Sequence, residues 1–342
     1  MRAQVCLLSP VPLDSPRGNS ITVTRIAGSL RERGLDVCVR PADDIGFAEG
    51  AAPGRPAVVH AFHAYRTGPR GAAVAAASRV PLVITLTGTD VSDDLRDAER
   101  GRVVRQSLRE AAAVTVFHDS VASEVLSVLP DLASRITVVP QSVVFPPKEA
   151  NSPAPALTGE PCLLFPAGIR PVKRPLFPLD PLESLRREHP GLALWYAGPS
   201  LDARETQRLT QELSRRPWAR NLGPVSHAVM PSLLSGADIV LNCSLSEGGM
   251  ANAVLEAFAL GRAVLASDIP GNRSLVEDGV TGLLFDSEAG LMRGAARLTE
   301  DPALRRRLGE AGRQLVESRY PPSRETDGYL SVYARVTGTL LG

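Results

Sequence analysis

Residues 244–286 read SLSEGGMANAVLEAFALGRAVLASDIPGNRSLVEDGVTGLLFD. An apolar run ending at Asn242 predicts a strand, and the pattern after Gly249 predicts a helix that follows a short loop. Because glycine has no Cβ, Gly248 and Gly249 let a ligand approach the backbone closely. The free N–H groups and the dipole of the helix form an anion site that suits a pyrophosphate.

Two carboxylates flank this predicted anion site. Glu247 lies at its mouth, and Glu256 lies one to two turns into the helix. Carboxylates do not suit a phosphate, but they accept hydrogen bonds from hydroxyl groups attached to one, such as a vicinal diol. An ordinary strand, turn and helix with surface glutamates has the same pattern, so the residues alone leave both interpretations open.

Strands alternate with helices along the whole chain, which predicts the α/β class with doubly wound parallel sheets. Residues 146–161, PPKEANSPAPALTGEP, have the composition of a linker. We therefore expect two Rossmann-like domains, 1–150 and 151–322, facing a cleft, with the helix of 323–342 packing back on the first.

Composition excludes several classes of protein. The 342 residues include 38 Lys and Arg against 37 Asp and Glu, so no overall field attracts nucleic acid. No apolar run reaches the roughly 18 residues that a membrane span needs. We expect a cytoplasmic monomer or homodimer, without a signal peptide or zinc site, whose cysteines are reduced core residues: Cys6, Cys38, Cys162 and Cys243.

Residues 244–286 resemble the C-terminal signature of retaining glycosyltransferases of family 4, which have the GT-B fold. The resemblance implies that Glu247 contacts the donor sugar and Glu256 the nucleotide ribose. The loop here is one residue longer than is usual in the family. The residues between the two glutamates that would bind the donor are Gly248, Gly249, Met250, Ala251 and Asn252.

Residues 168–173, GIRPVK, resemble the family's Gly-Arg…Lys element. The resemblance implies that Arg170 and Lys173 neutralise the donor diphosphate. Lys173 is one of only two lysines in the chain, and a compact ammonium charge suits a phosphate.

The N-terminal half resembles a smaller group, the glycosyltransferase 1 domain-containing protein 1 type and the selenosugar synthases. The matching residues, which would bind substrate, are Gly18, Asn19, His63, Arg66, Thr87 and Asp90. Many family members have a histidine where Thr87 stands, and a hydroxyl is no base near neutral pH. Either Asp90 or His63 takes over that role, or no protein base is needed.

The remaining histidines are weaker candidates. His118 follows a predicted strand and would face the substrate. We expect His60, His189 and His227 to be structural or solvated.

The resemblance implies a retaining transfer from a UDP-sugar, such as UDP-GlcNAc or UDP-Glc, to a small-molecule acceptor. It also implies that the first domain binds the acceptor and the second the nucleotide-sugar. The leaving phosphate would act as the base, with no essential metal and no cofactor beyond the nucleotide-sugar as co-substrate. Two alternatives stay open: a thio- or selenosugar synthase that uses an inorganic nucleophile, and a non-catalytic nucleotide-sugar sensor.

Overall fold

The chain divides into two compact units, Met1–Ser142 with Pro322–Gly342, and Val143–Pro321. The computed structural model describes residues 4–13, 15, 18–42, 44, 56–147 and 155–340. The first unit ends at Ser142, whereas the sequence analysis places the boundary after residue 150. Part of the predicted linker, residues 148–154, lies outside the described residues.

The first unit is a parallel six-stranded sheet in the order β2-β1-β3-β4-β5-β6 with helices around it. Its elements are β1 (Gln4–Ser9), α1 (Gly18–Glu32), β2 (Asp36–Pro41), β3 (Pro56–Phe62), α2 (Gly68–Ser78), β4 (Leu82–Thr85), α3 (Arg100–Glu110), β5 (Ala113–Val116), α4 (Asp119–Val128), β6 (Ile136–Val138) and the C-terminal helix, Pro322–Thr337.

The second unit is a parallel six-stranded sheet in the order β12-β11-β10-β7-β8-β9. Its elements are β7 (Cys162–Phe165), α5 (Leu179–Arg186), β8 (Ala193–Tyr196), α6 (Ala203–Ser214), β9 (Ala219–Asn221), α7 (Met230–Gly236), β10 (Ile239–Asn242), α8 (Asn252–Ala259), β11 (Ala263–Ser267), α9 (Pro270–Arg273), β12 (Leu283–Phe285), α10 (Glu288–Glu300) and α11 (Pro302–Arg319). The C-terminal helix of the first unit is α12. The prediction of doubly wound parallel sheets is confirmed.

In the second sheet the strand order reverses between β7 and β10. The loops that follow these two strands therefore turn away from each other and leave a crevice at the carboxyl edge, which is where open α/β sheets bind ligands. Residues 168–173 follow β7, and residues 244–251 follow β10. The fold thus brings the two segments that the sequence analysis singled out to one edge.

A buried ion pair fastens α12 to the first unit. The Arg25 guanidinium donates from Nε and Nη2 to the two carboxylate oxygens of Glu325, at 3.0 and 2.9 Å. Ser142 Oγ donates to Glu325 Oε2 at 2.6 Å, so the last residue before the second unit is joined to the same carboxylate. The side chains of Arg25 and Glu325 are only 5% and 4% exposed, which makes each charge depend on the other.

His60 lies in the core of the same unit. Its Nδ1 is 2.7 Å from Tyr333 Oη of α12, and its Nε2 is 2.6 Å from Thr85 Oγ1 of β4. Burial lowers the pKa of His60 to about 3, so the ring is neutral. His60 is structural, as expected.

Replacing Glu325 tests the ion pair. Glu325→Gln removes the carboxylate charge that faces the buried Arg25 guanidinium, so the free energy of unfolding of the first unit should fall by about 3–5 kcal/mol, measured by urea denaturation. The matched control is Asp327→Asn on the same helix, which removes an exposed pair with Arg33 and should change stability little. Equal effects of the two substitutions would contradict the assignment.

Candidate active site

Lys173 and Glu247 meet at the carboxyl edge of the second sheet. The Lys173 Nζ atom lies 2.5 Å from Glu247 Oε1, and the two side chains are 16% and 13% exposed. Lys173 ends a short 3-10 turn, Pro171–Lys173, that follows β7, and Glu247 lies in the loop after β10. The structure therefore joins the two predicted motifs through a largely buried ion pair.

Two further donors hold the Glu247 carboxylate. Asn242 Nδ2 and Ser244 Oγ donate to Oε1 at 3.0 and 2.7 Å. Burial raises the pKa of Glu247, but the Lys173 charge and these hydrogen bonds lower it by more, so the pKa lies below its ordinary value. Glu247 is an anion whose second oxygen, Oε2, receives no hydrogen bond from the described residues.

A network beneath the loop fixes these donors. Asn242 Oδ1 accepts from the Ser244 N–H at 3.0 Å, and Ser267 Oγ donates to the Ser244 carbonyl at 2.6 Å. Asn272 Nδ2 donates to the Ser267 carbonyl at 2.9 Å. The sequence analysis named Asn242 only as the end of a strand and gave none of these residues a role, although a polar Asn at the end of the buried β10 was a signal.

The glycine-containing loop packs closely on the segment that starts α9. Gly249 has φ 135°, a conformation that L side chains rarely adopt. A Cβ on Gly271 would lie 2.5 Å from Glu247 Cβ and 2.6 Å from the Gly249 carbonyl oxygen. The backbone at Glu247 is thus placed by a contact that only glycine allows.

Helix α8 starts at Asn252, and no side chain caps its first turn. Its leading N–H groups therefore have no partner within the helix, which leaves a partial positive charge there. Met250 and Ala251 are buried just before it, while Gly248 is half-buried. Arg170 is half-buried and directly precedes the turn that carries Lys173.

Glu256 is paired with a residue that the sequence analysis set aside. His227 Nε2 lies 2.9 Å from Glu256 Oε1, and the two side chains are 23% and 11% exposed. The expectation that His227 is only structural or solvated overlooked this pair, because His227 is far from Glu256 in the sequence.

In the first unit, the Asp90 side chain holds two loops in place through hydrogen bonds. Its carboxylate accepts hydrogen bonds from the backbone N–H groups of Ala64 at 3.0 Å, Thr87 at 3.1 Å and Gly88 at 2.7 Å. The residue is completely buried. Both carboxylate oxygens are engaged in fixing the loops after β3 and β4, so the carboxylate is not placed to act as a base.

His63 is also enclosed. Its Nε2 is 2.9 Å from Thr89 Oγ1, and its Nδ1 is the acceptor of a long hydrogen bond, 3.4 Å, from the Arg66 N–H. Burial lowers the pKa of His63, and its φ of 79° is uncommon for a residue other than glycine.

The remaining candidates of the first unit lie at the same carboxyl edge of its sheet. Thr87 Oγ1 is buried and has no hydrogen-bond partner among the described residues, and the Arg66 side chain is exposed. Gly18 and Asn19 open α1. His118 caps α4, since its Nδ1 accepts from the Ser120 N–H at 3.1 Å, and burial lowers its pKa.

Within the described residues, no group of three or more His, Cys, Asp or Glu side chains is arranged to hold a metal ion. No helix in the same part of the chain is long and apolar enough to cross a bilayer.

Gly271→Ala tests the packing of the loop. The added Cβ would overlap Glu247 and the Gly249 carbonyl, so the second unit should lose about 1–3 kcal/mol of its free energy of unfolding, measured by denaturant titration. Gly236→Ala is the matched control, because a Cβ there meets only Leu157 atoms, at 3.9 Å. If Gly271→Ala were as stable as the control, the loop would not be held as described.

The chain is similar in sequence to known glycosyltransferases. The family model for glycosyl transferases group 1 matches residues 147–315. Glycosyltransferase 1 domain-containing protein 1 of Xenopus tropicalis is 27% identical over 261 residues, 74% of this chain and 75% of the relative. Alpha-D-kanosaminyltransferase of Streptomyces kanamyceticus is 25% identical over 243 residues, 68% of this chain and 62% of the relative.

Solved structures show the same fold. The crystal structure of Anabaena HepE in complex with UDP and glucose matches with a TM-score of 0.79 at 16% identity, over 98% of this chain and 100% of HepE. Sucrose-phosphate synthase of Thermosynechococcus elongatus matches with a TM-score of 0.77 at 19% identity, over 98% of this chain and 100% of the synthase. The chain is therefore a glycosyltransferase with the GT-B fold, and the part of it that matches the glycosyl transferases group 1 model, residues 147–315, lies in its second unit.

Proposed function

We propose that this glycosyltransferase moves a sugar from a UDP-sugar, such as UDP-glucose or UDP-GlcNAc, to a small-molecule acceptor with retention of the anomeric configuration. The observation that carries the proposal is the Lys173–Glu247 pair beside the uncapped start of α8, at the point where the strand order of the sheet reverses. The choice of uracil is supported by the UDP bound to HepE, a protein of the same fold.

Different residues of the second unit bind the diphosphate and the sugar of the donor. The diphosphate lies at the N-terminus of α8, where Lys173 and Arg170 compensate its charge. The free Oε2 of Glu247 accepts hydrogen bonds from hydroxyls of the sugar. Once the donor is bound, Lys173 lies between two anions, and it stabilises the charge that grows on the diphosphate as the glycosidic bond breaks.

The acceptor attacks from the side of the leaving group. The bond from the anomeric carbon to the phosphate oxygen breaks, the bond to the acceptor oxygen forms, and the acceptor proton passes to the departing phosphate. This mechanism needs no protein base, which agrees with the engaged state of Asp90 and His63. With Lys173, Arg170 and the helix dipole supplying positive charge, the reaction needs no metal. An inorganic sulfur or selenium nucleophile is the alternative acceptor.

The donor is tested by a thermal-shift screen of UDP-, GDP-, ADP- and dTDP-sugars. A UDP-sugar far above its dissociation constant should stabilise the protein by about 3–4 kcal/mol, and the others should do less. Incubation of the best donor with candidate acceptors, selenophosphate included, should then release UDP, at the same rate with and without EDTA. Stabilisation by none of the four donors, or a product of inverted configuration by NMR, would contradict the proposal.

Lys173→Ala tests the charge on the diphosphate. The loss of one cation that stabilises the leaving group should lower kcat by about 10²–10³, measured by UDP release. Arg306→Ala is the matched control, because it removes an exposed cation from α11 in the same unit and should leave kcat unchanged. A kcat within a few-fold of wild type for Lys173→Ala would overturn the role of this residue.

A further inference from the structure

The pair of His227 and Glu256 has no part in the reaction as described so far. His227 lies between β9 and α7, and Glu256 lies in the second turn of α8. Their contact, 2.9 Å from Nε2 to Oε1, brings two separate segments of the second unit together. The Phe145 ring lies beside His227, with the ring centroids 6.4 Å apart.

In the hydrogen bond between His227 and Glu256, the histidine is the donor. An ionised carboxylate only accepts hydrogen bonds, so His227 must donate from Nε2. Glu256 Oε1 is thereby engaged, while Oε2 receives no hydrogen bond from the described residues. Oε2 is not among the fully buried atoms, so this oxygen is open to hydrogen-bond donors from outside the protein, those of a ligand included.

The position of Glu256 indicates which groups of a ligand would donate hydrogen bonds to Oε2. It stands four residues after Asn252, the first residue of α8, so it is about 6 Å along the helix axis from the proposed diphosphate site. In a nucleotide the ribose directly follows the phosphates, and its 2′ and 3′ hydroxyls form a diol. Oε2 of Glu256 can accept from this diol only if the carboxylate keeps its orientation.

We propose that His227 is a positioning residue that orients Glu256 toward the ribose diol and so makes the enzyme selective for ribonucleotide donors. The inference rests on the proposed function and deepens it. His227 holds Oε1, which leaves Oε2 directed to the ligand. Without the imidazole, the carboxylate would rotate toward solvent, and the diol would lose its fixed acceptor.

The test is isothermal titration calorimetry with UDP and with 2′,3′-dideoxy-UDP, which lacks the diol. In His227→Ala the Kd for UDP should rise about tenfold, the effect of one hydrogen bond to a charged group, while the Kd for the dideoxy analogue stays the same. His227→Gln should restore most of the affinity, because its amide can donate from nearly the same place. The matched control is His189→Ala, a histidine of the same unit that faces Glu300 at 3.5 Å and should have no effect. Melting temperatures without nucleotide check that each variant is folded.

The outcomes separate this inference from the function on which it rests. If wild type binds UDP and His227→Ala binds it equally well, or if the variant loses affinity equally for both nucleotides, the positioning role is wrong and the proposed function stands. If wild type binds UDP and its dideoxy analogue with the same Kd, no diol contact exists and the inference is wrong. If wild type binds no UDP, the proposed function itself fails.

Discussion

The ion pair between Lys173 and Glu247 is the interaction on which the candidate site depends. It joins the loops after β7 and β10, the two strands between which the strand order reverses. Removing both charges from water costs free energy, which is recovered only where the geometry is good and further hydrogen bonds are made. Asn242 and Ser244 provide those hydrogen bonds, and both act on the same oxygen as Lys173. The other oxygen accepts no hydrogen bond from the described residues, which is the basis of the proposed contact with the sugar.

The two units use their polar residues differently. In the second unit, each of the two predicted glutamates has one oxygen held by protein and one without a protein donor. In the first unit, Asp90 and His63 are fully engaged in holding loops. This contrast supports the proposed mechanism, in which the second unit stabilises the leaving group and the departing phosphate accepts the proton.

Much of the fold was predictable because strands buried on both faces are continuous apolar runs and glycine marks many of the turns. Other features depend on packing. Glycine is unfavourable inside a helix, yet Gly294 of α10 is required, since a Cβ there would lie 2.6 Å from Leu265 Cδ1 of β11. The sequence did not predict that the His118 ring caps α4, and its contact with substrate stays a prediction.

By itself the sequence determined the α/β class and the doubly wound sheets, because periodicity and glycine-rich loops are local properties of the chain. The resemblance to a known family, rather than the residue pattern, singled out Lys173, Glu247 and Glu256 as candidate site residues. Only the tertiary structure decided that Lys173 pairs with Glu247, that His227 holds Glu256 and that Asp90 is occupied. These contacts join loops that follow different strands. The partner of a buried polar group is set by which loops the sheet order places side by side, and local spacing does not encode that order.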